Sequence, residues 1–197
     1  VCVVTDSDEI IEVLKKYSIR FFKSSKHYET GTDRISEFVN NFNCDLIINV
    51  QGDEPFINKS DLNLIIQNFK EDYKNEIEAI SLKTLIKNDN EINNPNNVKV
   101  ITDINSNAIY FSRLALPYNR LGNEIKYYKY VGIYAFRKKA LLKFSNLKKS
   151  ELEKSEMIEA LRFVENGMKI KILEVKNNYI GIDTIEDLMK ARKKFND

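Results

Sequence analysis

The sequence predicts an α/β fold built on a mostly parallel sheet covered on both faces. Three observations carry that prediction. Short apolar runs alternate with amphipathic stretches through the first half of the chain, as strands alternating with helices do. A buried-type run, Leu46–Val50, ends abruptly in a polar turn. The chain has 197 residues, 43% of them hydrophobic, enough for one domain with a sizeable core.

Taken in order, Val1–Thr5 reads as a buried strand. Asp6 and Ser7 offer N-cap oxygens for a helix through about Lys16, with Ile10, Ile11, Val13 and Leu14 as its apolar side. Ile19–Phe22 is a short strand, Asp33–Phe42 a helix and Leu46–Val50 a third strand. Ser60 is placed to cap a helix carrying Leu62, Leu64, Ile65, Ile66 and Phe69, and Ile77–Leu82 follows as a strand. From Val98 the texture changes. Val98–Thr102, Ala108–Phe111 and Tyr127–Phe136 are strand-like with no long helix between them, which predicts an antiparallel insertion. Helices return at about Lys138–Phe144 and Lys154–Glu165, and Lys169–Val175 is a late strand. Thr184 caps the final helix, with Asp187 three residues on as a capping-box variant. No repeat, low-complexity linker or domain boundary interrupts the pattern.

Composition excludes several classes of partner. Thirty-one basic against 29 acidic residues leave a net charge of +2, which gives no reason to expect nucleic acid or an anionic membrane. No apolar run approaches the roughly 20 residues a membrane span needs, and no signal peptide is visible. Cys2 and Cys44 have no metal or redox spacing and read as free thiols of a reducing compartment. A cytoplasmic protein is the expectation. His27 is the only histidine and is assigned no role.

Three runs carry candidate chemistry. In Asn49–Pro55 (NVQGDEP), a buried strand ends where open α/β sheets bind ligands. Gly52 permits close approach of the backbone, and Asp53 offers the hard oxygen that Mg²⁺ prefers. The same residues also suit a plain tight turn. In Ile180–Thr184 (IGIDT), Asp183 precedes a helix; it could share a metal with Asp53, or simply favour the helix dipole. Glu29–Arg34 (ETGTDR) is a polar loop opening a helix, whose N–H groups can bind anions or base edges. Arg113, Arg120, Arg137 and Arg162 lie among apolar residues and could clamp a carboxylate or form structural ion pairs.

Together these runs resemble the 3-deoxy-manno-octulosonate cytidylyltransferase (CMP-Kdo synthetase) family. The matching segments are ETGTDRISE (Glu29–Glu37), NVQGDEPFI (Asn49–Ile57), NPNNVKVI (Asn94–Ile101) and AIYFSRLALPYNR (Ala108–Arg120). They continue with VGIYAFR (Val131–Arg137), LEKSEMIEALRFVENG (Leu152–Gly167) and GIDTIEDL (Gly181–Leu188). The resemblance implies a Rossmann-like, three-layer nucleotidyltransferase fold with the antiparallel insertion used for dimerisation. It implies Mg²⁺, CTP and a 3-deoxy sugar acid as cofactor and substrates, pyrophosphate as product, a homodimer, and a role in lipopolysaccharide or surface-polysaccharide synthesis. Asp53 and Asp183 match the metal-binding, catalytic aspartates. Thr30, Gly31, Arg34 and Gln51 match the nucleotide side. Arg113, Arg120, Tyr130, Tyr134 and Glu159 match the sugar-acid side.

The sequence also departs from the family pattern. Family members begin with a strand and a PARxxSxRxxxK-type phosphate loop; residues 1–197 read as a single cytidylyltransferase domain lacking both, with that segment expected upstream of Val1. Tyr28 and Tyr130 stand where many relatives have His, and Ala160 where many have Gln. The alternatives are a synthetase of the CMP-sialic-acid type or a catalytically inactive homologue that binds a partner.

Overall fold

The computed structural model describes residues 1–177 and 179–196. The chain begins with β1 (Val3–Thr5), α1 (Asp8–Lys16) and β2 (Phe21–Lys23). The Ser7 hydroxyl caps α1 by accepting from the Ile10 N–H, as its position predicts. Of the four predicted apolar residues of α1, only Ile11 and Leu14 are buried; Ile10 and Val13 stay exposed. β1 and β2 pair in parallel as a separate two-stranded sheet.

Next come α2 (Gly31–Ser36), β3 (Leu46–Val50), α3 (Lys59–Glu71), β4 (Ala79–Leu85) and a short α4 (Asp89–Ile92), which the sequence reading did not anticipate. α2 begins two residues earlier than predicted because Thr30, accepting from the Asp33 N–H, is its N-cap. It also stops earlier. Phe38 and Phe42 turn onto Phe22, and i→i+3 bonds form a 3₁₀ turn at Val39–Asn41 that buries Val39. α3 is capped by Asn58 rather than Ser60: the Asn58 side-chain Oδ1 accepts from both the Ser60 N–H and its hydroxyl.

The second half supplies β5 (Lys99–Thr102), β6 (Ala108–Ser112), β7 (Tyr128–Arg137), α5 (Lys138–Ser145), α6 (Glu151–Glu156), α7 (Ala160–Glu165), β8 (Ile170–Val175) and α8 (Ile185–Asn196). The single helix expected over Lys154–Glu165 is two helices. Met157 breaks it in the left-handed conformation (φ 55°), and this bend turns Glu159 inward to 8% exposure. The Thr184–Asp187 cap of α8 forms as predicted, with the Asp187 N–H on the Thr184 hydroxyl and the Thr184 N–H on Asp187.

The main sheet has the order β6-β5-β7-β4-β8, with β3 also paired to β7. β3, β4, β5 and β8 run in one direction, because β3, β4 and β5 each oppose β7 and β8 is parallel to β4. Strand direction is therefore mostly parallel, as predicted. The stretch read as an antiparallel insertion is only partly one. β5 and β6 sit at the edge, but β7 threads through the centre between β3 and β4. Its alternation feeds two cores. Val131, Ile133 and Ala135 pack with Ile65 and Phe69 of α3 on one face. Tyr134 and Phe136 pack with Phe144, Leu161 and Phe163 of α5 and α7 on the other. Helices on both faces give three layers.

Candidate active site

A cleft of about 680 Å³ opens where β3, β7 and the segment before α8 come together. Its floor is an irregularity in β7. On β4, Ser81 faces Tyr134 and Leu82 faces Val131, so Gly132 and Ile133 are extra residues in the ladder. The freed backbone of Gly132 is used by the turn after β3. Its carbonyl accepts from the Gln51 N–H (3.1 Å), and its N–H donates to Glu54 Oε1 (3.0 Å). A Cβ at Gly132 would lie 3.1 Å from Glu54 Cγ, so a side chain there would crowd the Glu54 side chain. Two extra residues preserve parity, and Tyr130, Tyr134 and Phe136 remain one aromatic row with neighbouring ring centroids 5.4 and 5.8 Å apart.

The inner wall is a chain of buried hydrogen bonds. Asn49 Nδ2 donates to Thr32 Oγ1 (3.3 Å), and Thr32 Oγ1 donates to Glu159 Oε1 (2.6 Å). Gln51 Nε2 donates to the same Glu159 oxygen (3.4 Å). Gly31 leaves room for the Gln51 amide in this position, since a Cβ there would sit 2.9 Å from Gln51 Oε1. Gln51, assigned to the nucleotide side, thus touches Glu159, assigned to the sugar side. Burial pushes the Glu159 carboxyl above its usual range, against the pull of the Thr32 bond. Burial also raises the Tyr130 and Tyr134 hydroxyls well above theirs.

The outer wall carries charge. Asp53 and Asp183 both line the cleft, and the Ile182 N–H donates to the Asp53 carbonyl (2.9 Å), which ties the two segments. Asp183 is exposed as a residue, but partial desolvation of its carboxyl raises it first and the Asp53 charge second. Arg113 is clamped at the end of β6: its Nε donates to the Glu156 carbonyl (2.8 Å) and its Nη1 to the Pro95 carbonyl (2.9 Å). Lys129 Nζ donates to the Tyr179 carbonyl (2.8 Å), and Asp61 holds that segment by accepting from Tyr179 Oη and Asn177 Nδ2.

Two predicted site residues lie elsewhere. Arg120 is exposed in the turns between β6 and β7 and does not line the cleft. Arg34 pairs with Asp6 (3.1 Å) behind the ETGT loop, also off the cleft. Thr30, Gly31 and Gln51 line it, and so do Arg113, Tyr130, Tyr134, Glu159 and the two aspartates.

Residues 1–170 match the family model described as Cytidylyltransferase. The 3-deoxy-manno-octulosonate cytidylyltransferase of Christiangramia forsetii is 47% identical over 194 residues, covering 98% of this chain and 78% of that protein. The enzyme of the same name from Flavobacterium johnsoniae is 46% identical over 198 residues, covering 100% and 81%. The chain belongs to the 3-deoxy-manno-octulosonate cytidylyltransferase family. It is an enzyme of the nucleotidyltransferase kind. A solved CMP:2-keto-3-deoxy-manno-octonic acid synthetase complexed with CTP superposes with a TM-score of 0.89 at 32% identity, covering 98% of this chain and 79% of that one. The 4-diphosphocytidyl-2C-methyl-D-erythritol synthase of Anaerococcus prevotii, at 19% identity and a TM-score of 0.57 over 98% and 78% of the two chains, shares the fold alone.

Reading this cytidylyltransferase from sequence missed Glu54, Lys129, Tyr179 and the asparagines Asn94, Asn96 and Asn97, all of which line the cleft. Glu54 and Asn94–Asn97 lie inside quoted motifs, and Tyr179 stands just before Ile180. The signal was present, but nothing in the spacing says which motif residues face inward.

Proposed function

We propose that the chain transfers CMP from CTP to 3-deoxy-manno-octulosonate, releasing pyrophosphate, and so supplies lipopolysaccharide or surface-polysaccharide assembly in the cytoplasm. The observation that carries this reading is the convergence of Asp53, Asp183, Arg113 and the Gln51–Glu159 network in one cleft of a chain related to cytidylyltransferases along its length. The anomeric hydroxyl of the sugar attacks the α-phosphorus of CTP, and pyrophosphate leaves. Arg113, held by two carbonyls, keeps its remaining guanidinium nitrogen for an anionic group, and a sugar carboxylate suits it. Gln51 and Glu159 orient hydroxyls on the inner wall, and the buried Tyr130 and Tyr134 stay neutral there.

Asp53 and Asp183 fit Mg²⁺. Among the described residues no set of three or more His, Cys, Asp or Glu forms a protein cage, and Mg²⁺ characteristically takes one or two carboxylates and completes its shell with phosphate oxygens and water. When bound, the ion supplies neutralisation of the charge that grows on the phosphates. Among the described residues no helix is long and apolar enough to cross a membrane. A homodimer has support in Leu114, Tyr118 and Leu121, which are 73%, 86% and 81% exposed between β6 and β7.

The test is pyrophosphate release from CTP and Mg²⁺ with 3-deoxy-manno-octulosonate, beside a sialic acid. Efficient turnover of the first and little of the second is expected. Turnover of the sialic acid alone, or of neither, overturns the reading.

A further inference from the structure

Among the described residues, three buried side-chain polar atoms have no hydrogen-bond partner, and two of them are on residues that line this cleft: Glu54 Oε2 and Glu159 Oε2. Each carboxylate spends only its other oxygen on the protein. Glu54 Oε1 takes the Gly132 N–H, and Glu159 Oε1 takes Thr32 and Gln51. Glu159 is only 8% exposed, and an unpaired buried acceptor of this kind is costly in the absence of a ligand.

The two carboxylates flank one side chain. The point where a Gly132 Cβ would stand is 3.1 Å from Glu54 Cγ and 3.4 Å from Gln51 Cγ, and Gln51 Nε2 is 3.4 Å from Glu159 Oε1. The unpaired atoms are acceptors, so they call for donors. A phosphate or a sugar carboxylate would be repelled there and is better placed at Arg113. What fits is the hydroxylated part of the acceptor.

We propose that Glu54 is a specificity-determining residue that reads a hydroxyl of the acceptor sugar acid through Oε2, as one half of an acceptor pair with Glu159. This rests on the cytidylyltransferase reading above and deepens it. A purely structural Glu54 would need only the bond from Gly132, which an amide oxygen accepts equally well. Glu54→Gln therefore separates the two roles: it keeps the clamp on Gly132 and puts an uncharged amide donor where the free acceptor stood.

The experiment measures steady-state kinetics with CTP, Mg²⁺ and 3-deoxy-manno-octulosonate for the wild type and Glu54→Gln, with thermal midpoints for both. The expected result is an unchanged midpoint, an unchanged KM for CTP and a KM for the sugar raised about tenfold or more, as loss of a charge-assisted hydrogen bond gives. A second arm uses the wild type with analogues of the sugar lacking single hydroxyls. One analogue should show the same rise, with no further rise in Glu54→Gln. An unchanged sugar KM in Glu54→Gln overturns the proposal. So does a change confined to the Mg²⁺ activation constant, which would assign Glu54 to the metal. Failure of the wild type to use the sugar at all is a different outcome: it removes the function reading, and the proposal with it.

Discussion

The two walls of the cleft are built in opposite ways. The inner wall, from β3, β7 and the start of α7, is buried and internally bonded: Asn49, Thr32, Gln51 and Glu159 hold one another, and Gly132 locks the turn that carries Asp53. On the outer wall, Asp53 and Asp183 stand exposed, and Arg113 hangs from two backbone carbonyls. The inner wall is fixed before substrate arrives. The outer wall gathers charge that a phosphate-bearing ligand and its cation would complete. On the proposed function, shape selection falls to the first wall and charge stabilisation to the second. Substitutions on the two sides should fail differently.

The largest effect is expected on the outer wall. Asp53→Ala or Asp183→Ala should lower kcat/KM by about 10²-fold or more, since metal-assisted charge stabilisation contributes several kcal/mol. The thermal midpoint should hardly move, because both residues are exposed. A large fall in the midpoint with either variant would erase the contrast between the walls.

Next is the inner wall. Gly132→Ala forces a Cβ to 3.1 Å from Glu54 Cγ and 3.2 Å from Glu54 Oε1. Overpacking of this kind costs roughly 1–3 kcal/mol. Stability and activity should fall together here. Denaturant unfolding alongside kinetics checks this, and activity lost at full stability would contradict it.

A subtler effect is pH-dependent. Burial raises the Glu159 carboxyl in the folded protein above its unfolded value. The folded state then holds its proton more tightly, so the stabilising contribution is complete below the unfolded pKa. It is lost as pH rises through the folded pKa. Glu159→Gln should remove that decline, flattening the stability profile on the alkaline side of the usual carboxylate range. Chemical denaturation across that range reads the difference, and parallel profiles for both proteins would refute it.

The sequence made the layers legible, because apolar periodicity reports burial directly: β3 was read with its true ends, and the caps at Ser7 and Thr184 were where side-chain chemistry requires. It did not reveal the break at Met157, since a left-handed residue other than glycine leaves no local mark. Nor did it place β7 in the middle of the sheet, because an antiparallel strand between parallel ones is decided by long-range pairing. For the site, the motifs located the aspartates and the Thr30–Gln51–Glu159 group. Orientation is a tertiary property: Glu54 lines the cleft without having been singled out, and Arg120 lies off it.

The smallest effect is expected at Arg120, and its contrast with Arg113 is the most discriminating test. Both were matched to the sugar-acid side, and the structure separates them. Arg113 lines the cleft with its guanidinium anchored by the Glu156 and Pro95 carbonyls, so little rotamer entropy remains to be lost when an anion binds. Arg120 is exposed on the β6–β7 connection with no cleft contact. Arg113→Ala should raise the KM for the sugar acid by roughly ten- to a hundredfold, the usual range for a charge-assisted hydrogen bond. Arg120→Ala should change it by less than about twofold, as a surface substitution does. Measuring both at low and high salt adds a control, because a screened, distant Arg120 effect would fade with ionic strength while a direct contact at Arg113 would persist. If Arg120→Ala matched Arg113→Ala at every salt concentration, the β6–β7 connection would have to close onto the cleft during turnover, and the outer wall would extend farther than its resting geometry shows.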